Sequence, residues 1–321
     1  MAPSPPRSAA RTATLLLTAA CTIWGATFLL MEMGTESLHR DLGPGHTFAV
    51  GALFILLRFA IAAVLLPLAI PRALSRLDRA AWWHGLGLAI PFSAGFLLQI
   101  YGLDQPDVSP GESAFLTSLY VVVTPLLAGA WKRRWPPLGV AVGVPLATLG
   151  AAFISGPPQA GFSSGAWATI ACAVAFAVQI VVTDHSSRRT DPMALTLTML
   201  LWSVLICAVA LLLAPGGRGL LHADLARALL RPRLLASLGF CAVLATVVVV
   251  PLLNRWQKEL VPGRAAIVYS AEPVFAALIS VAAGRDRVSG WLCFGAGMIV
   301  LANLAAARWP GRPQAAPASS S

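Results

Sequence analysis

The chain has 321 residues, of which 57% are hydrophobic and only 11% charged, and it carries a formal net charge of +10. A typical soluble domain has about 25% charged residues, so an ordinary globular domain and a disordered chain are both excluded. A polytopic membrane protein remains, with 13 acids, five His and five Cys spread thinly along it.

A hydrocarbon core of about 30 Å takes about 20 mostly apolar residues at a rise of about 1.5 Å each. Charged and Pro/Gly-rich breaks cut the chain into ten such runs, at 13–33, 46–70, 82–103, 111–131, 135–156, 162–184, 192–214, 234–256, 263–283 and 289–308. The runs are continuous and lack the alternation of a membrane barrel. Backbone in lipid must satisfy its own hydrogen bonds, so the expected fold is an all-α integral membrane protein with ten transmembrane helices. Arg7 and Arg11 precede the first run, but its apolar stretch continues to Met31. That is too long for a typical signal core, and the run reads as an uncleaved span. Segments 1–12 and 309–321 read as disordered cytoplasmic tails.

Orientation follows from Lys and Arg. With both termini in the cytoplasm, fifteen of the 23 basic residues lie inside and seven outside, and Arg58 lies within span two. This predicts a multi-pass protein of the plasma membrane, in a bacterium the inner membrane. Four of the outside residues share the loop at 215–233, where Leu220, Leu221, Leu225, Leu229 and Leu230 interleave with Arg227, Arg231 and Arg233. An amphipathic helix lying on the membrane and a helical cap over the outer loops are both open there. No basic stripe interleaved with exposed aromatics points to nucleic acid. Cys21, Cys172, Cys207, Cys241 and Cys293 all fall within spans without paired spacing and read as packing residues.

Sliding the second half over the first at an offset of 152 places Gly111 on Gly263, Ala114 on Ala266, Ser118 on Ser270 and Val122 on Val274. Leu126, Ala130, Arg133, Gly143 and Leu149 also find their like. Five spans per half is an odd number, so the halves 13–156 and 162–308 insert with opposite orientation. Inverted repeats of this kind build secondary transporters with substrate at the midplane.

Span one carries Trp24-Gly25-Ala26-Thr27-Phe28, and span two Leu57-Arg58-Phe59 followed by Ala60, Ala62 and Ala63. Span four reads Ala114-Phe115-Leu116-Thr117-Ser118-Leu119-Tyr120 and runs on through Val121, Val122, Val123 and Thr124 to Pro125. Span nine reads Ala271-Glu272-Pro273-Val274-Phe275. Together these stretches resemble the drug/metabolite transporter superfamily, specifically its ten-span EamA-type members. The resemblance covers nearly the whole chain. It implies a central cavity between the halves, alternating access, and export or exchange of small organic metabolites such as amino acids or drug-like compounds. It fixes no substrate and calls for no cofactor. No phosphate-binding Gly-x-x-x-x-Gly-Lys-Ser/Thr loop is present for nucleotide hydrolysis. The expected partners are a small-molecule substrate and the lipid bilayer. The Gly139/Gly143 pair on span five serves packing within the protomer or a homodimer contact.

Charges at mid-bilayer are costly and are functional or paired. Glu272 in span nine binds protons or a substrate amine, or it is a packing carboxylate paired to Arg58 or to hydroxyls. Arg58 in span two is a structural tie to carbonyls or a carboxylate, or a clamp on a substrate carboxylate. Pro125 and Pro273 each remove one helical hydrogen bond, making a hinge or a static kink. Trp24, Tyr120 and Tyr269 fall near mid-span and either stack on substrate or fill space; Trp202 is the weaker candidate. Thr27, Thr117, Ser118, Ser270 and Gln99 supply hydrogen bonds to substrate or between helices. No metal site is expected. The competing classes are an integral membrane enzyme and a non-transporting scaffold. For the enzyme, Asp184-His185 with Asp191 is the one local cluster, while Asp104, Asp107 and Glu112 form an acidic loop.

Overall fold

The computed structural model describes residues 7–43, 47–131, 138–153, 157, 162–186, 189–220, 225–256, 268–269 and 271–308. Residues 1–6, the tail 309–321, the basic run at 132–134, Arg188, Lys258, Arg264 and Ser270 lie outside the described residues. Among those described, every regular element is helical. Six helices are long and apolar enough to cross a membrane: Arg11–Leu42, Thr47–Ala69, Arg79–Leu103, Pro110–Trp131, Ser164–Thr183 and Pro192–Leu213. Four shorter apolar helices follow the remaining runs, at Leu138–Phe153, Pro232–Val248, Glu272–Ala282 and Gly290–Ala305.

In chain order the helices are α1 (Arg7–Leu42), α2 (Thr47–Ala69), α3 (Arg72–Ser75), α4 (Arg79–Leu103), α5 (Pro110–Thr117), α6 (Tyr120–Trp131), α7 (Leu138–Phe153) and α8 (Ser164–Ser186). They continue as α9 (Pro192–Leu213), α10 (Gly217–Leu220), α11 (Leu225–Leu229) and α12 (Pro232–Gly239), then a π-helix at Phe240–Val248 and α13 (Val249–Trp256). The last two are α14 (Glu272–Ala282) and α15 (Gly290–Arg308).

The largest core gathers α1, α2, α4, α9, α12 and the π-helix around Phe54, Phe59, Ile100, Leu197 and Leu200, all fully buried. Helix α2 lies at its centre, so both its faces are apolar, as expected of a helix surrounded by others. Helix α7, with Gly139 and Gly143 buried, packs along α15.

Helix α1 departs from the expected span at both ends. It starts at Arg7, inside the segment expected to be a disordered tail, because Arg7-Ser-Ala-Ala-Arg is good helix-forming sequence. It runs nine residues past position 33, carrying Glu36, His39 and Asp41, and ends where Gly43 (φ +92°) donates its N–H to the His39 carbonyl at 2.9 Å. At about 1.5 Å per residue the helix is about 54 Å long, nearly twice the hydrocarbon thickness.

Leu221 lies outside the described residues, and the described parts of the loop at 215–233, residues 215–220 and 225–233, fold inward as a cap. Leu220 and Ala228 are buried, and Leu225 and Leu229 pack against the main core, while Leu230 is 75% exposed. The apolar side of this segment covers protein, which favours the cap over the lipid-lying helix.

Candidate functional site

Span four is broken. Helix α5 ends at Thr117, the chain turns at Ser118–Leu119, and α6 begins at Tyr120. The Leu119 N–H reaches only to the Leu116 carbonyl, at 3.2 Å, and the Val123 N–H returns to the Leu119 carbonyl at 3.0 Å. Span nine breaks in the same way. The Ala271 N–H bonds the Val268 carbonyl at 3.1 Å, the Phe275 N–H bonds the Ala271 carbonyl at 2.9 Å, and α14 begins at Glu272. Each of these four positions in span nine lies 152 residues after its counterpart in span four. The offset that aligns the sequence halves therefore also aligns their helix breaks, and it sets Glu272 opposite Tyr120.

The prolines do not share that register. Pro273 lies in the first turn of α14, where its missing N–H costs no helical hydrogen bond. It takes the place of Val121, whose N–H bonds the Ser118 carbonyl at 3.0 Å. Pro125 sits inside α6, which continues through it to Trp131. The expected pair of like kinks resolves into one helix start and one interior proline.

Glu272 is partly buried, and among the described residues no side chain hydrogen-bonds or ion-pairs with its carboxylate. It lies within electrostatic range of Tyr120, Tyr269 and Cys21. Trp24, Tyr269 and Phe275 pack around fully buried Cys21 in a second apolar cluster. The Tyr269 hydroxyl is buried and has no hydrogen-bond partner among the described residues. The Trp24 indole N–H donates to the Ala245 carbonyl at 2.9 Å. That acceptor belongs to the π-helix, a form found frequently at functional sites.

The structure thus brings together Trp24, Tyr120, Tyr269 and Glu272, with Cys21 as a neighbour that the spacing alone did not single out. Thr27 instead donates to the Trp24 carbonyl on its own helix, at 2.6 Å. Gly25, quoted above only as part of a motif, seats α1 against α14. A Cβ there would stand 2.9 Å from the Ala276 nitrogen and 3.0 Å from the Glu272 carbonyl oxygen. Backbone contact this close admits only hydrogen in place of a side chain.

Arg58 is 3% exposed and lies apart from Glu272. Its Nη1 contacts the Met31 sulfur at 3.3 Å, and its guanidinium carbon stands 4.6 Å from the centre of the Phe96 ring. Its Nε has no partner, and among the described residues no carboxylate pairs with it. The Arg58–Glu272 pair does not form, because Arg58 is turned toward the α1–α2–α4 core while Glu272 faces Cys21 and the span breaks.

The remaining polar candidates join helices. Gln99 Nε2 lies 3.5 Å from Thr117 Oγ1, and Asn303 Nδ2 donates to Ser118 Oγ at 3.2 Å. Trp202 donates to the Trp82 carbonyl at 3.0 Å. Of the acidic clusters, Asp107 stays within electrostatic range of Glu112, and the Asp184 side chain lies outside the described residues. Asp191 caps α9 by accepting from the Met193 and Ala194 N–H groups, and Asp104 pairs with His39 at 2.7 Å. Among the described residues no group of three or more His, Cys, Asp or Glu converges to hold a metal ion.

The face bearing the end of α1 is tied by ions. Arg285 bonds both oxygens of Glu36, at 2.6 and 2.7 Å, and lies 3.6 Å from Glu32. The Glu36 hydrogen bonds hold the arginine above its ordinary pKa, so it stays cationic at any physiological pH. Next to it, Asp286 accepts from the Gly111 N–H at the start of α5, at 3.0 Å. Two residues of one turn thereby bind both α1 and α5.

Long apolar helices, a buried arginine and two helices broken in register define an all-helical, multi-pass integral membrane protein. A sequence profile of the EamA-like transporter family matches the chain twice, at residues 11–156 and 163–307. The chain belongs to the EamA-like transporter family, and so to the drug/metabolite transporter superfamily. A protein of Archaeoglobus fulgidus described as an uncharacterized transporter is 29% identical over 281 residues, spanning 87% of this chain and 80% of that protein. A solved crystal structure at 20% identity has a TM-score of 0.57, covers 92% of this chain and 95% of that chain, and shares the fold.

Proposed function

We propose that the protein is a secondary transporter of small organic metabolites, an exporter or exchanger, and not an enzyme. In this reading ten spans form two inverted five-helix repeats, 13–156 and 162–308, in the bacterial inner membrane with both termini cytoplasmic. Substrate sits at the two span breaks and alternating access moves it across. The observation that carries the proposal is Glu272, an acid with no partner among the described residues at the start of a half-helix, beside Tyr120, Tyr269 and Trp24. An intramembrane carboxylate without a partner suits a proton or a substrate amine, and the aromatic rings suit a flat or cationic group. Backbone freed at broken helices is where transporters bind their solutes. Aromatic and other apolar amino acids combine an amine with such a side chain and are the first candidates.

The test is counterflow into proteoliposomes preloaded with amino acids, nucleobases or organic cations. Exchange confined to one chemical class is expected and would name it. A verified folded protein that exchanges none of the three would count against the reading.

A further inference from the structure

Between the end of α1 and the start of α12 lies a cavity of about 420 Å³, lined by Ser37, Arg40, Asp41, Arg231, Pro232 and Arg233. Three arginines meet one acid there. Arg231 is committed to that acid, donating from Nε and Nη2 to the two Asp41 oxygens at 3.0 and 2.7 Å. Arg40 and Arg233 are exposed, and among the described residues neither has a hydrogen-bond or ion-pair partner. Glu36, a further acid within electrostatic range of both, is spent on Arg285. The cleft therefore keeps an excess of positive charge. Guanidinium groups match phosphate oxygens in pairs.

The surroundings say where such a phosphate comes from. Leu230 and Leu235, on either side of the arginines in sequence, are 75% and 51% exposed. Exposed leucines interleaved with arginines place apolar side chains among acyl chains and cations among headgroups. We propose that this cleft binds the phosphate of an anionic phospholipid headgroup, with Arg40 and Arg233 as its charged contacts and Ser37 as a hydroxyl donor. The bound lipid would bridge α1 to α12.

The test uses the full chain in detergent and follows thermal unfolding against added phosphatidylglycerol, phosphatidylcholine or inorganic phosphate. Phosphatidylglycerol is expected to raise Tm saturably at concentrations where phosphatidylcholine does not. The exposed double substitution Arg40→Gln with Arg233→Gln leaves the Arg231–Asp41 pair intact and should weaken the response about tenfold or more, with the lipid-free Tm preserved. Arg40→Lys with Arg233→Lys, which keeps the charge without the paired guanidinium contacts, should restore only part of it. An equal, arginine-dependent response to inorganic phosphate would keep the anion site and transfer its source to the aqueous phase, overturning the lipid assignment. Equal responses to the two lipids, or a double variant that binds phosphatidylglycerol like the wild type, would overturn the site itself.

Discussion

Gly25 on α1 meets the carbonyl of Glu272 so closely that a methyl group on it would stand 3.0 Å from that oxygen. The atoms in the way belong to backbone and cannot swing aside. Gly25→Ala should cost about 1–3 kcal/mol by overpacking, read as a lower Tm in detergent, and should slow exchange. Gly25→Val should do more of both. An alanine variant with wild-type Tm and wild-type exchange would show that the two helices are free to part.

Glu272→Gln keeps the shape of the side chain and removes its charge. Its titratable neighbours are Tyr120, Tyr269 and Cys21. If Glu272 carries the proton, wild-type exchange varies with pH and that of the variant is flat, at an unchanged Tm. Unaltered pH dependence in the variant would remove Glu272 from coupling. A variant that fails to fold would mark the carboxylate as structural.

Tyr269 keeps a buried hydroxyl that has no partner among the described residues. A buried polar group left unpaired costs about 1–3 kcal/mol. Tyr269→Phe is therefore expected to hold or raise Tm while raising the KM for a substrate with a hydrogen-bonding group. A lower Tm with unchanged KM would assign the hydroxyl to structure alone.

Arg285 joins the turn after α14 to α1 through Glu36. At this exposure the pair is worth no more than about 1 kcal/mol, so Arg285→Gln should barely shift Tm. It should instead open this face. A cysteine at Ser113, fully buried on α5 near the Asp286–Gly111 bond, is expected to label faster with an impermeant maleimide in the Arg285→Gln background. The charge exchange Glu36→Arg with Arg285→Glu should slow labelling again. No change in labelling would leave the ion pair without a gating role.

Arg58 is held by a thioether and an aromatic ring. Replacing a buried charge by a well-packed apolar side chain is often neutral or stabilising. Arg58→Met should thus keep Tm within a few degrees and keep exchange of amines that lack a carboxylate, while Arg58→Ala leaves a void and lowers Tm. Loss of exchange confined to carboxylate-bearing substrates in Arg58→Met would make the arginine their clamp.

The spans were legible because apolar runs bounded by charges report directly on the bilayer, and Trp24, Tyr120, Tyr269 and Glu272 stood out as polar or aromatic groups at mid-run. Other features depend on partners far away in sequence. Glu32 and Glu36 stand at the end of the first apolar run, and their counter-charge, Arg285, lies some 250 residues later. The π-helix at Phe240–Val248 is a run of ordinary apolar residues. Its widened turns become visible only where Thr246 donates to the Cys241 carbonyl, five residues back, and Trp24 to that of Ala245. Pro125 and Pro273 misled for the opposite reason: a proline is conspicuous in sequence, but its effect depends on its place within a turn.

Helix α1 touches the span breaks at Gly25, the core arginine at Met31, and the ionic face at Glu36, His39 and Asp41. If α1 tilts as a rigid rod, its close contact with α14 at Gly25 is the natural fulcrum. Glu36 lies eleven residues along the rod, about 16 Å away. A tilt of only about five degrees about Gly25 sweeps that end through about 1.4 Å, enough to break a hydrogen bond. Leverage of this kind would make a small tilt beside Glu272 large at the surface, with no separate signal passing between them.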